Sequence, residues 1–364
     1  MVKRVRWTFV KGAVVVVSMA VCGQPALRAQ QPKPQQDPFT FHTGVELVNV
    51  TATVTDRGGR FVRGLSQNDF RVFDDGRPQA ISHFSAERVP VSIGIVIDTS
   101  ASMDGEKMEA ARDALDRFLT QLLDPADEVF LYRFDNHPAL VEGWTRDKQR
   151  ISDAVRAIQP RGGTALYDAV AEAVQMAQHG RNQKKAVLII SDGNDTSSQT
   201  DAVALREIIR QTEVLVYAIG IDSGASGRMR IGYQTVQYPP ARPPRFPFPF
   251  PFPRPGKPPT KPGPPAPQPP GSRGTIDDER VNAPALRSIT DASGGRTEIV
   301  RFPRDLDPAT AGIADELSRQ YYLGYAAPNG HDGRWHDIHV EVTNPSYVVR
   351  ARQGYVARAD PRSP

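Results

Sequence analysis

The chain has 364 residues, 39% of them hydrophobic, and a formal net charge of +4. That length accommodates two modest domains, and the apolar share is sufficient for a packed core. Lys and Arg are scattered outside the N-terminus and one Pro-rich segment, so composition gives no support to nucleic-acid binding.

Residues 1–29 read as a secretory signal. Lys3, Arg4, Arg6 and Lys11 form a positive start, residues 12–23 are apolar, and Leu27-Arg28-Ala29 offers a cleavage site. Export to the periplasm, cell surface or medium is the expectation. The apolar run is far shorter than the roughly 20 residues that span a bilayer, which leaves only peripheral contact with a membrane or envelope. Cys22 is the single cysteine, so cleavage after Ala29 would exclude disulfides and thiolate metal sites. A lipid anchor at Cys22 is the alternative, disfavoured because Val21 is larger than the small residue such processing needs.

Residues 30–40 form a Gln/Pro linker, and 41–88 carry a β pattern. Val48, Val50, Ala52 and Val54 alternate with Asn49, Thr51, Thr53 and Thr55, which predicts a half-buried strand. A Gly-rich turn follows at 56–60. Residues 69–73, the turn Asp74-Asp75-Gly76-Arg77 and residues 79–84 predict a hairpin.

From residue 91 the pattern changes. Continuous apolar runs at 91–97, 129–134, 186–190 and 214–219 suit strands buried on both faces of a mostly parallel sheet. Segments 107–123, 147–158, 165–178 and 201–211 between them have apolar residues at helical spacing. This alternation predicts a doubly wound α/β domain over 89–223 and 276–320. Its later elements are helices at 283–292 and 308–319 and a strand at 296–300. Residues 224–275 interrupt it, first Gly/Ser-rich and then dominated by proline, with Phe246, Phe248, Phe250 and Phe252 alternating with Pro. Such an insertion suits extended polyproline II or disorder.

The tail, 321–358, is β again. Ile338, Val340 and Val342 alternate with Asp337, His339, Glu341 and Thr343, with further strands predicted at 320–325 and 347–356. Neither terminal β segment suffices for a sheet core alone. Together they predict a β-sandwich-like domain from which the α/β domain emerges.

Candidate chemistry lies in three loops. Asp98-Thr99-Ser100-Ala101-Ser102 follows the first buried strand, Gly162-Gly163-Thr164 precedes a helix, and Ser191-Asp192-Gly193 closes another buried strand. Taken singly, Asp and Ser here are ordinary turn and helix-cap residues. A parallel sheet, however, brings all three loops to the same edge. Asp98, Ser100, Ser102, Thr164 and Asp192 then offer two carboxylates and three hydroxyls without sulfur or imidazole. That oxygen set suits Mg²⁺, with Mn²⁺ or Ca²⁺ as alternatives, and is poorly suited to zinc.

With these residues the chain resembles the von Willebrand factor type A family, whose metal-ion-dependent adhesion site combines D-x-S-x-S with a later Thr and a later Asp. The resemblance implies that Ser100, Ser102 and Thr164 are direct ligands, that Asp98 and Asp192 balance the charge, and that a protein partner's acidic side chain completes the metal shell. Residues 64–70 and 75–79, with 320–325 and 352–355, further resemble an exported bacterial group of von Willebrand-related proteins. The implied function is metal-dependent protein binding without catalysis. A structural or envelope-assembly protein, its metal serving folding or an intramolecular contact with Asp277, Asp278 or Glu279, is the alternative. A metal-dependent hydrolase would need a second carboxylate two residues after Asp98, where Ser100 stands.

Other motifs read as structural. His336 and His339, three apart on a strand, face opposite sides and suit no zinc site. Asp74-Asp75-Gly76 is explained by a hairpin turn, and Asp195 is a secondary candidate for supporting a neighbouring ion. The Pro/Phe insertion leaves the sheet at the metal edge, where it would extend or cover that surface. The helix at 308–319 resembles the family's last helix and would couple the metal site to the β domain.

Overall fold

The computed structural model describes residues 47–192, 194–222, 281–328 and 332–358. The expected signal, the linker, the Pro-rich insertion and residues 277–279 lie outside them.

Four strands open the described chain: β1 (Leu47–Asp56), β2 (Phe70–Asp74), β3 (Arg77–Gln79) and β4 (Ile81–Ser85). β1 buries Val48, Val50, Ala52 and Val54, as its alternation predicts. The β2–β3 turn has φ of 48° at Asp75 and 74° at Gly76. Positive φ at both central positions is the twist a two-residue hairpin needs, and Asp and Gly tolerate it. The segment 79–84, expected as one strand, divides at Ala80. β3 stays beside β2 while β4 pairs with a C-terminal strand in another sheet, so the chain turns a corner between sheets.

The central sheet contains β5 (Val91–Asp98), β6 (Glu128–Phe134), β7 (Pro138–Thr145), β8 (Lys184–Ser191), β9 (Val214–Ile221) and β10 (Thr297–Val300). Their order is β10-β9-β8-β5-β6-β7, parallel throughout except for the β6–β7 pair. β7 is absent from the sequence reading. It is a half-buried edge strand containing Pro138 and Gly143, and it lacks both the continuous apolar run and the alternation that mark the others.

Helices α1 (Glu106–Arg117), α2 (Lys148–Ala157) and α6 (Leu306–Arg319) cover one face of the sheet, while α3 (Leu166–Ala177), α4 (Ala202–Arg210) and α5 (Ala283–Ser293) cover the other. Asp147 and Asp201 cap α2 and α4 by accepting from two backbone N–H groups each, which satisfies donors that helix starts leave free. The helix expected through 123 stops being α at Arg117. Its last turn widens, with Leu123 N–H donating to the Phe118 carbonyl at 3.0 Å. Gly94 on β5 is required by packing: a Cβ there would sit 2.1 Å from the Phe130 ring.

The chain ends in β11 (Tyr321–Ala326), β12 (Trp335–Val342), β13 (Tyr347–Arg350) and β14 (Gly354–Val356). Two four-stranded antiparallel sheets result, β13-β1-β11-β4 and β14-β12-β2-β3. Each mixes N- and C-terminal strands, and their inner faces share one core that includes Val50, Val72, Leu323, Tyr325 and Val340. Residues 347–356, expected as one strand, divide between the two sheets, because the first part pairs antiparallel with β1 and the second with β12. The fold is therefore a doubly wound α/β layer joined to a sandwich made by the chain's two ends. A buried polar seam connects them. Glu316 of α6 accepts from Tyr217 of β9 at 3.0 Å, Thr53 of β1 at 3.1 Å, Arg296 at 2.7 Å and Arg350 of β13.

Candidate metal centre at the sheet edge

β5 and β8 end at Asp98 and Ser191 on the same edge of the parallel sheet, and the loop before α3 reaches it from beside β6. Backbone hydrogen bonds hold these loops together. Thr99 N–H donates to the Phe134 carbonyl at 2.8 Å, Arg161 N–H to the Thr99 carbonyl at 2.6 Å and Ala101 N–H to the Gly162 carbonyl at 3.1 Å. Gly162 has φ of 76°, and a Cβ there would also crowd Asn136 at 2.9 Å, so the approach of this loop requires glycine. On the other side Thr196 N–H donates to the Thr164 carbonyl at 2.9 Å.

Four of the five expected residues form one hydrogen-bonded chain. Ser100 N–H donates to Asp98 Oδ1 at 2.8 Å, the Ser100 and Ser102 hydroxyls are 2.9 Å apart, and Ser102 Oγ donates to Asp192 Oδ1 at 2.8 Å. Thr164 joins through its loop: it is buried, its N–H donates to Thr196 Oγ1 at 3.1 Å, and its carbonyl accepts from two amides of the 194–200 loop.

Asp98 and Asp192 are both buried, which sets the electrostatics. Burial pushes the Asp98 carboxyl up to about 6, against hydrogen bonds from Ser191 and Ser100 that pull it down, and the Asp192 charge adds to the rise. A cation between the two carboxylates would remove both penalties. The site already attracts one: Lys107 Nζ, in the first turn of α1, contacts Asp192 Oδ2 and donates to the Ser102 carbonyl at 2.8 Å. Converging hydroxyl and carboxylate oxygens, with a positive charge drawn to them, fit a hard divalent ion.

Two partners escaped the sequence reading. Ser191 Oγ donates to Asp98 Oδ2 at 2.5 Å, and its place at the end of β8 was a usable signal. Lys107 had none beyond its distance along α1. Asp195, the secondary candidate for ion support, is engaged by its own loop. It accepts from Tyr167 N–H at 3.2 Å and Ser198 Oγ at 2.5 Å, while Asp168 accepts from Gln199 and Thr200 N–H at 2.9 Å each. These bonds pin the 194–200 loop to the start of α3.

A second cluster lies in the sandwich. His336 and His339 do face opposite ways, one buried and one exposed. The buried ring, however, meets the hairpin turn that sequence treated as structural: His336 Nδ1 is 2.9 Å from Asp75 Oδ2, and its Nε2 is 3.1 Å from Asp332 Oδ1. Burial lowers the ring's pKa, but Asp332 and Asp75 outweigh it and raise the value above the ordinary one. No local pattern announces residues brought together from 261 positions apart.

Residues 93–194 match the family model of the von Willebrand factor type A domain. The chain is 27% identical over 139 residues to inter-alpha-trypsin inhibitor heavy chain H4 of Bos taurus, covering 35% of this chain and 15% of that protein. An uncharacterized protein of Synechocystis is 24% identical over 137 residues, covering 36% of this chain and 32% of that one. The chain thus spans a minor part of these relatives' length. Among solved structures it is similar to a von Willebrand factor type A protein from Catenulispora acidiphila, at 13% identity and a TM-score of 0.45, with 88% of this chain and 76% of that chain covered. It is also similar to the vWF domain of a type V pili tip protein from Porphyromonas gingivalis, at 25% identity and a TM-score of 0.29, with 30% and 40% covered.

Proposed function

We propose that the von Willebrand factor type A domain of this chain is a divalent-cation-dependent protein-binding module. In this reading Ser100, Ser102 and Thr164 hold Mg²⁺ and Asp98 and Asp192 balance its charge. An acidic side chain of a protein partner then takes the remaining position. The single observation that carries the reading is the continuous circuit Asp98–Ser100–Ser102–Asp192 at the C-terminal edge of the parallel sheet, where open α/β sheets take their ligands. When bound, the ion would supply a Lewis-acidic point for a carboxylate. The chain's own residues fix the loops, exclude water on the core side and present Lys107 beside the site.

Pull-down from an envelope extract tests this, with Mg²⁺ against chelator and wild type against a Ser100→Ala, Ser102→Ala variant. Partners that require both Mg²⁺ and the two serines are expected, and a partner set indifferent to both would overturn the reading. Export is part of the same proposal, and the mature N-terminus found by sequencing the secreted protein should follow Ala29. The Lys107 contact favours one second reading, in which the site's charge is balanced within the chain and the ion serves folding. Unfolding of the whole domain on chelation would select it.

A further inference from the structure

The hairpin turn between β2 and β3 and the start of β12 bring Asp74, Asp75 and His336 together, on elements other than those that carry the sheet-edge loops. Asp74 is fully buried. Its Oδ2 accepts from the Tyr325 hydroxyl at 2.8 Å and the Tyr355 hydroxyl at 3.0 Å. Its Oδ1 is buried without a hydrogen-bond partner and lies 3.9 Å from His336 Nδ1. A solvent-free carboxylate oxygen with nothing to accept from is costly and calls for a specific occupant.

The neighbours of that oxygen define the occupant's chemistry. Asp74, Asp75 and His336 each offer one ligand atom, and these atoms lie within 4.8 Å of one another. Ligands at about 2.0–2.1 Å from a tetrahedral zinc ion sit roughly 3.3 Å apart. The 2.9 Å from His336 Nδ1 to Asp75 Oδ2 and the 3.9 Å to Asp74 Oδ1 bracket that spacing. The outer contacts are those a metal-bound imidazole and carboxylate require. Asp332 accepts at Nε2 and so orients the ring for coordination through Nδ1, the two tyrosine hydroxyls hold the far oxygen of Asp74, and the Tyr355 ring stacks on the imidazole at 5.2 Å. Asp75 is further fixed because its Oδ1 accepts from Asp337 N–H at 3.0 Å.

We propose that Asp74, Asp75 and His336 form a second divalent-cation site, selective for zinc, with water as the fourth ligand. One imidazole with two carboxylates is a borderline set that favours Zn²⁺ over Mg²⁺, whereas the sheet edge offers oxygen alone. The site ties the N-terminal hairpin to the C-terminal strand β12. In a chain whose mature form is expected to lack cysteine, it would clip the two ends of the sandwich as a disulfide would elsewhere, and binding free energy would become folding free energy.

The test uses the full chain stripped with chelator and titrated with Zn²⁺ by calorimetry. Co²⁺ absorption serves as a second readout of the ligand set. Wild type and the Ser100→Ala, Ser102→Ala variant should each bind one equivalent at this site with equal affinity. His336→Gln and Asp75→Asn should bind at least tenfold more weakly, and the rise in Tm on adding Zn²⁺ should disappear. Asp75 lies in the exposed turn, so Asp75→Asn keeps the test valid where His336→Gln fails to fold. Unchanged Zn²⁺ affinity in Asp75→Asn, or no Zn²⁺ binding by wild type, would overturn the site and leave a protonated histidine clasp. A Zn²⁺ signal lost only in the serine variant would assign the ion to the sheet edge and equally overturn it.

Discussion

The two carboxylate clusters of this protein are built by opposite routes. At the sheet edge, Asp98, Ser100, Ser102 and Asp192 sit in loops that directly follow buried parallel strands, and the topology of one sheet suffices to gather them. In the sandwich, Asp74 and Asp75 meet His336 only after the two ends of the chain have paired, β2 against β12 and β1 against β11. The first cluster offers oxygen alone and is gathered by one sheet. The second contains nitrogen and exists only through long-range closure. A short motif can therefore report the first kind of site, while the second must be found in space.

The sharpest way to break the comparison is to cut the seam between the two regions. Glu316 is 1% exposed and accepts from groups of both. Glu316→Leu removes the buried carboxylate shared by Tyr217, Arg296 and Arg350, leaving the guanidiniums only Glu298 and the Gly294 carbonyl, and a loss of about 3 kcal/mol is expected in urea denaturation. If the sheet-edge site is independent of the sandwich, its Mg²⁺ affinity should change less than twofold. A tenfold loss would instead make α6 a coupling element.

Lys184 probes the same seam by pH. Burial lowers its pKa to about 8, with Arg88 adding to the fall and Asp127 and Glu316 opposing it, and its Nζ donates to the Leu317 carbonyl at 2.7 Å. The unfolded chain holds this proton more tightly, so between pH 8 and about 10.5 it binds more protons than the folded one. Wild type should accordingly gain stability relative to Lys184→Met as pH rises through that window, by about 3 kcal/mol over the full shift. A constant difference would show that the ammonium is solvated.

A third comparison isolates the sheet edge. With Mg²⁺ at a hundred times its dissociation constant, wild type should gain about 2.7 kcal/mol. Asp98→Ala should gain none, while Zn²⁺ stabilisation through Asp74, Asp75 and His336 should survive in it. Loss of both responses in that variant would mean that the clusters are not separate sites.

Legibility in the sequence follows the same divide. The buried strands and their helices were readable because apolar runs and a 3.6-residue period are local, and the D-x-S-x-S motif with Thr164 and Asp192 was readable because each residue adjoins such a strand or helix. β7 was not, since an edge strand half open to solvent has no sharp pattern. The breaks at Ala80 and within 351–353 were missed because a strand that changes sheets keeps its alternation. The spacing of three puts His336 on the opposite face from His339, and the structure buries it. What it faces depends on the β2–β12 register, Ile338 against Asp74, and that register is a property of the whole fold.

The smallest expected effect sharpens the role of the sandwich cluster. Tyr325 donates to Asp74 Oδ2, and its hydroxyl is pushed well above the ordinary phenol range by burial and by that bond. Tyr325→Phe removes one donor while Tyr355 still satisfies the same oxygen at 3.0 Å. The stability cost without metal should therefore be about 1 kcal/mol. If Tyr325 serves mainly to aim the free Oδ1 of Asp74 at an ion, Zn²⁺ affinity should fall roughly tenfold, the size of effect typical for a group that orients a ligand. A stability loss without any change in Zn²⁺ affinity would make the tyrosine a packing residue and leave Asp74 held by the sandwich alone.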